Sequence, residues 1–150
     1  MAEPLERTLR VECPVDHAFV VFTEHVDSWW PRSHRRFDES RLILEPEVGG
    51  RFVEVAKDGR EARLGEVLLY ERPHRIRYTW FPGAINHPTQ VDVSFTQDGA
   101  ETVVRVVHSE GESALGEAWP ERVQLFVRGW THVLAAFESH LVGNAESTGA

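Results

Sequence analysis

The groups in this 150-residue chain that could move protons, bind metals or attack carbonyls are eight histidines, one cysteine and 24 acidic side chains. The histidines stand at positions 17, 25, 34, 74, 87, 108, 132 and 140. None of them lies in the His-Glu-x-x-His spacing that sets two imidazoles on one helix face around zinc. Cys13 has no second cysteine to complete a soft metal cage, and it precedes Pro14 with no evident base beside it. Neither a metal site nor a covalent nucleophile is therefore predicted, and no cofactor motif is present. No Gly-x-Ser-x-Gly elbow occurs, and Gly49-Gly50 lacks the spacing of a phosphate loop, so it reads as turn chemistry. What remains is acid–base work in a dry interior, with His108 or Glu54 carrying a shifted pKa and Tyr78 polarising a carbonyl. No residue is assigned as catalytic on this basis.

Those residues lie in a succession of short strands. Alternation of apolar and polar residues predicts strands at 5–12, 41–45, 51–56, 63–71, 75–81, 90–97 and 102–110. Pro46 with Gly49-Gly50, Asp58-Gly59, Pro73, Pro82-Gly83 and Asp98-Gly99 stand between them, and Asp-Gly is a strong hairpin signal. Short connections make an antiparallel meander the economical topology. Between the first two strands, Val15, Ala18, Phe19, Phe22 and Val26 recur at helical spacing from Pro14, and Pro31 ends the helix by Trp30. The polar stretch 32–39 reads as a loop or short helical turn. A long amphipathic helix is predicted over 121–142, with Val123, Phe126, Trp130, Val133, Leu134, Phe137 and Leu141 on one stripe and Gly143-Asn144 as its stop. Residues 1–142 are read as one domain and 143–150 as a flexible tail.

Charged residues orient each strand. Arg105 must face water, so Val104, Val106 and His108 face inward; Arg75 and Arg77 likewise send Ile76, Tyr78 and Trp80 inward. Val91, Val93 and Phe95 point in against Asp92 and Ser94. Tyr78, Trp80, His108 and Trp130 are thus the first choices for the lining of a binding cavity, with Val93, Phe95 and Phe126 beside them. Each also has a plain structural role open to it, as a packed ring or a histidine bonded to a neighbour. Gly129, next to Trp130, is expected to let the helix approach the sheet closely.

Composition narrows the classes. With 24 acidic against 16 basic residues the formal charge is -8, which argues against nucleic-acid binding. A lone cysteine excludes a disulfide scaffold and suits a reducing, cytoplasmic setting, and no apolar run is long enough for membrane insertion. All basic residues but Lys57 are arginine, a bias that points to a GC-rich bacterial genome.

The segments PVDHAFVVFTEHVDSWWP, EPEVGGRFVEV with its following DG, GEVLLYERPHRIRYTW, VDVSFTQDGAETVVRVVHSEG and RGWTHVLAAF resemble, in order and spacing, the START-like helix-grip superfamily, also called SRPBCC. Within it they look most like the proteins similar to the activator of Hsp90 ATPase. The resemblance implies an α+β fold: a seven-stranded curved antiparallel sheet around a long C-terminal helix, with one or two short helices after strand one. It implies that Phe52 and Glu54 face inward, favours Gly65, Val67 and Leu69 on the inner face, and sets Trp29-Trp30-Pro31 at the cavity mouth, where Trp30 gates or plugs it. The co-chaperone behind the label has a further Hsp90-binding domain, for which 150 residues leave no room, so that activity is not expected. Three functions stay open: a carrier, sensor or sequestering protein for an apolar lipid-, polyketide- or aromatic-like small molecule; a cyclase, dehydratase or hydrolase using the same cavity; and an interaction module with a filled core. A homodimer through an exposed strand edge is compatible with each.

Overall fold

The computed structural model describes residues 4–80, 89–109 and 119–148, with side chains in the last stretch described for 126–141. Seven strands form one antiparallel sheet: β1 (Leu5–Val11), β2 (Ser40–Leu44), β3 (Arg51–Ala56), β4 (Glu61–Glu71), β5 (Arg75–Trp80), β6 (Thr89–Asp98) and β7 (Glu101–Ser109). Their order across the sheet is β1-β7-β6-β5-β4-β3-β2. All but the β1–β7 contact join sequence neighbours, so the meander expected from the short turns is the topology formed. Inward alternation holds through the middle of the sheet, where Ile76, Tyr78, Val91, Val93, Phe95, Val104, Val106 and His108 are all buried.

Two bulges interrupt that alternation in β4. Phe52 pairs with Gly65 while Val53 pairs with Arg63, leaving Leu64 without an opposite residue, and Leu64 is buried. Val67 pairs with Tyr78 while Leu69 pairs with Arg77, so Leu68 is the extra residue and the phase flips after it. Tyr70, opposite inward Ile76, then packs on the core in place of Leu69, which the family resemblance had put inside. Gly65 marks the bend: a Cβ there would run into the Thr79 carbonyl oxygen, and only glycine allows the two strands to approach so closely.

The helix expected to run unbroken to Trp30 is two, α1 (Val15–Thr23) and α2 (Val26–Trp29). Thr23 Oγ1 donates back to the Phe19 carbonyl at 2.7 Å, a bond that bends helices. The break leaves the Val21 carbonyl to accept the Trp29 indole N–H at 2.8 Å. A 3-10 turn follows at Arg32–His34.

The last helix, α3 (Trp119–Thr148), runs past Gly143-Asn144, where the sequence placed its end. A glycine within a helix costs about 1 kcal/mol relative to alanine, which does not oblige the chain to take the left-handed turn that ends one. Along its inner face Trp130, Val133, Leu134, Phe137 and Leu141 are buried, as the stripe predicts, and Phe126 is half-buried. The side chain of Val123 and the expected strand end at Phe81 lie outside the described residues, as do Pro82-Gly83 and His87. Among the described residues a Cβ at Gly129 would meet nothing within 4 Å, so the close approach expected of this glycine is not made with them. No helix among the described residues is long and apolar enough to cross a membrane.

Candidate functional site

A chain of hydrogen bonds crosses the interior where β5, β6, β7 and α3 meet. The Trp130 indole N–H donates to His108 Nδ1 at 3.0 Å. Because that nitrogen accepts, the proton of a neutral His108 sits on Nε2, which lies 2.8 Å from Thr89 Oγ1. The Thr89 hydroxyl in turn donates to the Trp80 carbonyl at 3.0 Å. Burial lowers the His108 pKa to about 3, so the ring is neutral and both nitrogens are engaged at physiological pH. The Phe126 ring covers the imidazole at 4.3 Å between centres.

The neighbouring wall is aromatic. Phe52 touches Tyr78 edge-on at 5.4 Å, Trp80 at 5.7 Å and Trp30 at 6.0 Å. Trp80 and Phe126 are half-buried, whereas Phe52, Tyr78 and His108 are closed off. Burial pushes the Tyr78 phenol well above its ordinary range, so it stays protonated, with its O–H available to donate, and does not act as a base.

The other sequence candidates go elsewhere. Val93 and Phe95 are fully buried, and Phe95 stands among Phe19 and Phe22, with ring centres 5.2 and 5.6 Å away. Phe22, Trp29 and Phe137 close the same end against one another. Trp30 is buried as well and donates its indole N–H to the His34 carbonyl at 3.3 Å.

Glu54 is inward and 1% exposed, and its carboxylate is an anchor. It accepts the backbone N–H groups of Arg36 at 3.0 Å and Phe37 at 2.9 Å and the Ser40 hydroxyl at 2.8 Å. Both oxygens are taken up in holding 36–40 against β3, so a proton-carrying role would require that segment to come away. His108, similarly, would have to give up Trp130 or Thr89 before it could act on a substrate.

Two contributors were not picked out from the sequence. Thr89 is fully buried one residue before the expected strand start; carrying the Val91, Val93, Phe95 alternation back by two positions would have found it. Arg35, within the polar stretch read as a loop or short helical turn, has a side chain only 2% exposed. Its guanidinium donates to Asp27 Oδ1 and the Ser40 carbonyl, and to the carbonyls of Asp27 and Trp30. With Asp27 Oδ1 also accepting the Leu42 N–H at 2.9 Å, outward-facing backbone groups of edge strand β2 are already occupied.

A curved seven-stranded antiparallel sheet closed on a long C-terminal helix, with a short polar chain set in an aromatic interior, defines a START-like helix-grip domain. The chain belongs to the family of activator of Hsp90 ATPase homolog 1-like proteins, which it matches over residues 12–142. Among solved structures it is similar to protein Ms6760 from Mycobacterium smegmatis, with 15% identity, 94% of this chain and 92% of that one covered, and a TM-score of 0.68. An Hsp90 activator from Plasmodium falciparum shares 22% identity over 93% and 96% of the two chains, with a TM-score of 0.66. An anthrahydroquino-gamma-pyrone synthase shares 27% identity over 92% of this chain and 96% of its own, with a TM-score of 0.61. Among curated proteins none matches this chain.

Proposed function

We propose that this protein binds an apolar, planar, polyketide- or aromatic-like small molecule between the sheet and α3, as a carrier, sensor or sequestering protein of the cytoplasm. The observation that carries this reading is the pairing of two half-buried rings, Trp80 and Phe126, with a fixed polar chain through His108 and Thr89. Sites for such ligands are mostly aromatic with a few placed polar groups. The 27% identity with an anthrahydroquino-gamma-pyrone synthase supports a polycyclic aromatic as the ligand class. Binding is favoured over turnover because the two groups suited to proton transfer, His108 and Glu54, already spend their donors and acceptors on the protein.

Titrating the protein with a hydroxylated anthraquinone while following tryptophan fluorescence tests this. Saturable quenching is expected, and Trp80→Ala and Phe126→Ala should each weaken binding by about tenfold, the equivalent of about 1.4 kcal/mol. Absence of saturable binding, together with no co-purifying small molecule in native mass spectra of protein from its own host, would overturn the proposal.

A further inference from the structure

His34 and His132 are remote in sequence but face each other across the surface. His34 ends the turn Arg32–His34 and His132 lies on α3; their ring centres are 5.5 Å apart and inclined at 49°. Both are exposed, so a dissolved ion reaches them. Ser33 Oγ lies 3.0 Å from His34 Nδ1. In the tautomer whose Nδ1–H donates to this hydroxyl, Nε2 of His34 keeps its lone pair for a metal ion, as in ligating imidazoles oriented by an outer hydrogen-bond acceptor.

The spacing can be compared with what one shared ion requires. A zinc–nitrogen bond of about 2.0–2.1 Å places each ring centre about 3.2 Å from the ion; two rings then stand about 5.2 Å apart at the tetrahedral angle and about 4.5 Å apart at 90°. The observed 5.5 Å fits the tetrahedral arrangement. The geometry points to a surface site in which His34 and His132 chelate one tetrahedral divalent transition ion of the zinc class, tying the 3-10 turn to α3. Among the described residues no group of three His, Cys, Asp or Glu side chains gathers to hold a metal. With these two imidazoles as the ligands, water completes the coordination, and the ion exchanges with solvent, unlike a structural zinc with four protein ligands.

The clamp acts on the segment that carries Trp30. That indole is bonded to the His34 carbonyl and packs on Trp29, Phe52 and Trp80, so an ion at His34 restrains the aromatic closure from outside. The inference does not depend on the ligand-binding proposal.

The test uses the full chain, stripped with a chelator and titrated with zinc sulfate alone, read by calorimetry and by unfolding. One zinc per chain is expected, and zinc at ten times its dissociation constant should shift the folding equilibrium about 11-fold toward the folded state. His34→Gln and His132→Gln, both at exposed positions, should unfold like the parent without zinc and lose the zinc response, while His17→Gln retains it. Magnesium, which prefers oxygen ligands, should give no response. A parent protein without zinc-dependent stabilisation, a response that survives in both His34→Gln and His132→Gln, or an equal response to magnesium would overturn the site.

Discussion

Acidification from pH 7 to pH 5 should destabilise this fold by about 2 kcal/mol through His108 alone. In the unfolded chain the imidazole takes up a proton near the ordinary value of 6.5, but in the folded protein only at about 3. Between those limits the unfolded state binds more protons, so the stabilisation is complete above about pH 6.5, declines as pH falls, and levels off near pH 3. Each pH unit inside the window is worth about 1.36 kcal/mol, which gives about 2 kcal/mol at pH 5 and a ceiling between 4 and 5. At 1% exposure the ring has little solvent to screen it. The geometry supplies the reason: protonating Nδ1 would turn a proton toward the Trp130 N–H that now donates to it. Urea unfolding at pH 7.5, 6 and 5 for the parent and His108→Gln should show a steeper pH dependence in the parent. Carboxylates and the remaining histidines titrate in both proteins and drop out of the difference. NMR of the parent's imidazole nitrogens gives an independent reading that needs no variant, with His108 remaining the Nε2–H tautomer to below pH 5. Equal slopes in the two proteins, or a His108 midpoint above pH 5, would refute the locked neutral ring.

Three other substitutions test how the chain is built. Glu54→Gln removes the charge that three donors share; a loss of about 1.5–3 kcal/mol is expected, with faster hydrogen exchange at the Arg36 and Phe37 amides, and unchanged exchange would argue against the anchor. Gly65→Ala drives a Cβ onto the Thr79 carbonyl oxygen and should destabilise by about 3 kcal/mol or more; a parent-like unfolding midpoint would show that β4 does not bend at this point. Gly129→Ala has the opposite sign, because the added methyl meets none of the described residues within 4 Å. It should raise stability by up to about 1 kcal/mol, and a drop in the thermal midpoint would mean that α3 packs tightly there after all.

The meander was legible because its strands obey a period of two and its turns carry Asp-Gly. Val91, Val93 and Phe95, like Val104, Val106 and His108, lie where alternation puts them. Local pattern fails where one residue is inserted into the ladder. At Leu64 and Leu68 the bulges shift every following side chain to the opposite face, and composition alone does not distinguish an inserted leucine from an alternating one. The helix break at Glu24 and His25 was hidden for a related reason. Apolar spacing from Val15 to Val26 reads as one stripe, whereas the break goes with bonds that no spacing records, from the Thr23 hydroxyl to the Phe19 carbonyl and from the Trp29 indole to the Val21 carbonyl.

The candidate site divides along the same line. Its apolar members follow from burial, which a sequence encodes position by position, so Tyr78, Trp80 and Trp130 could be nominated one at a time, while Phe52 was placed by the family resemblance. Its polar logic follows from pairing, which a single sequence does not record. Glu54 and His108 look alike as titratable groups predicted inward, yet their partners set them apart: three donors hold Glu54 to a loop, while His108 both accepts and donates within a chain from Trp130 to Trp80. Arg35 shows how far pairing can override composition. It stands in the polar run RSHRRFDE, and four oxygens of Asp27, Trp30 and Ser40 receive its guanidinium in a space from which water is nearly excluded. A charge is buried there because the carbonyls left over at the end of α2 and on the edge of β2 need donors, and one planar fork supplies them.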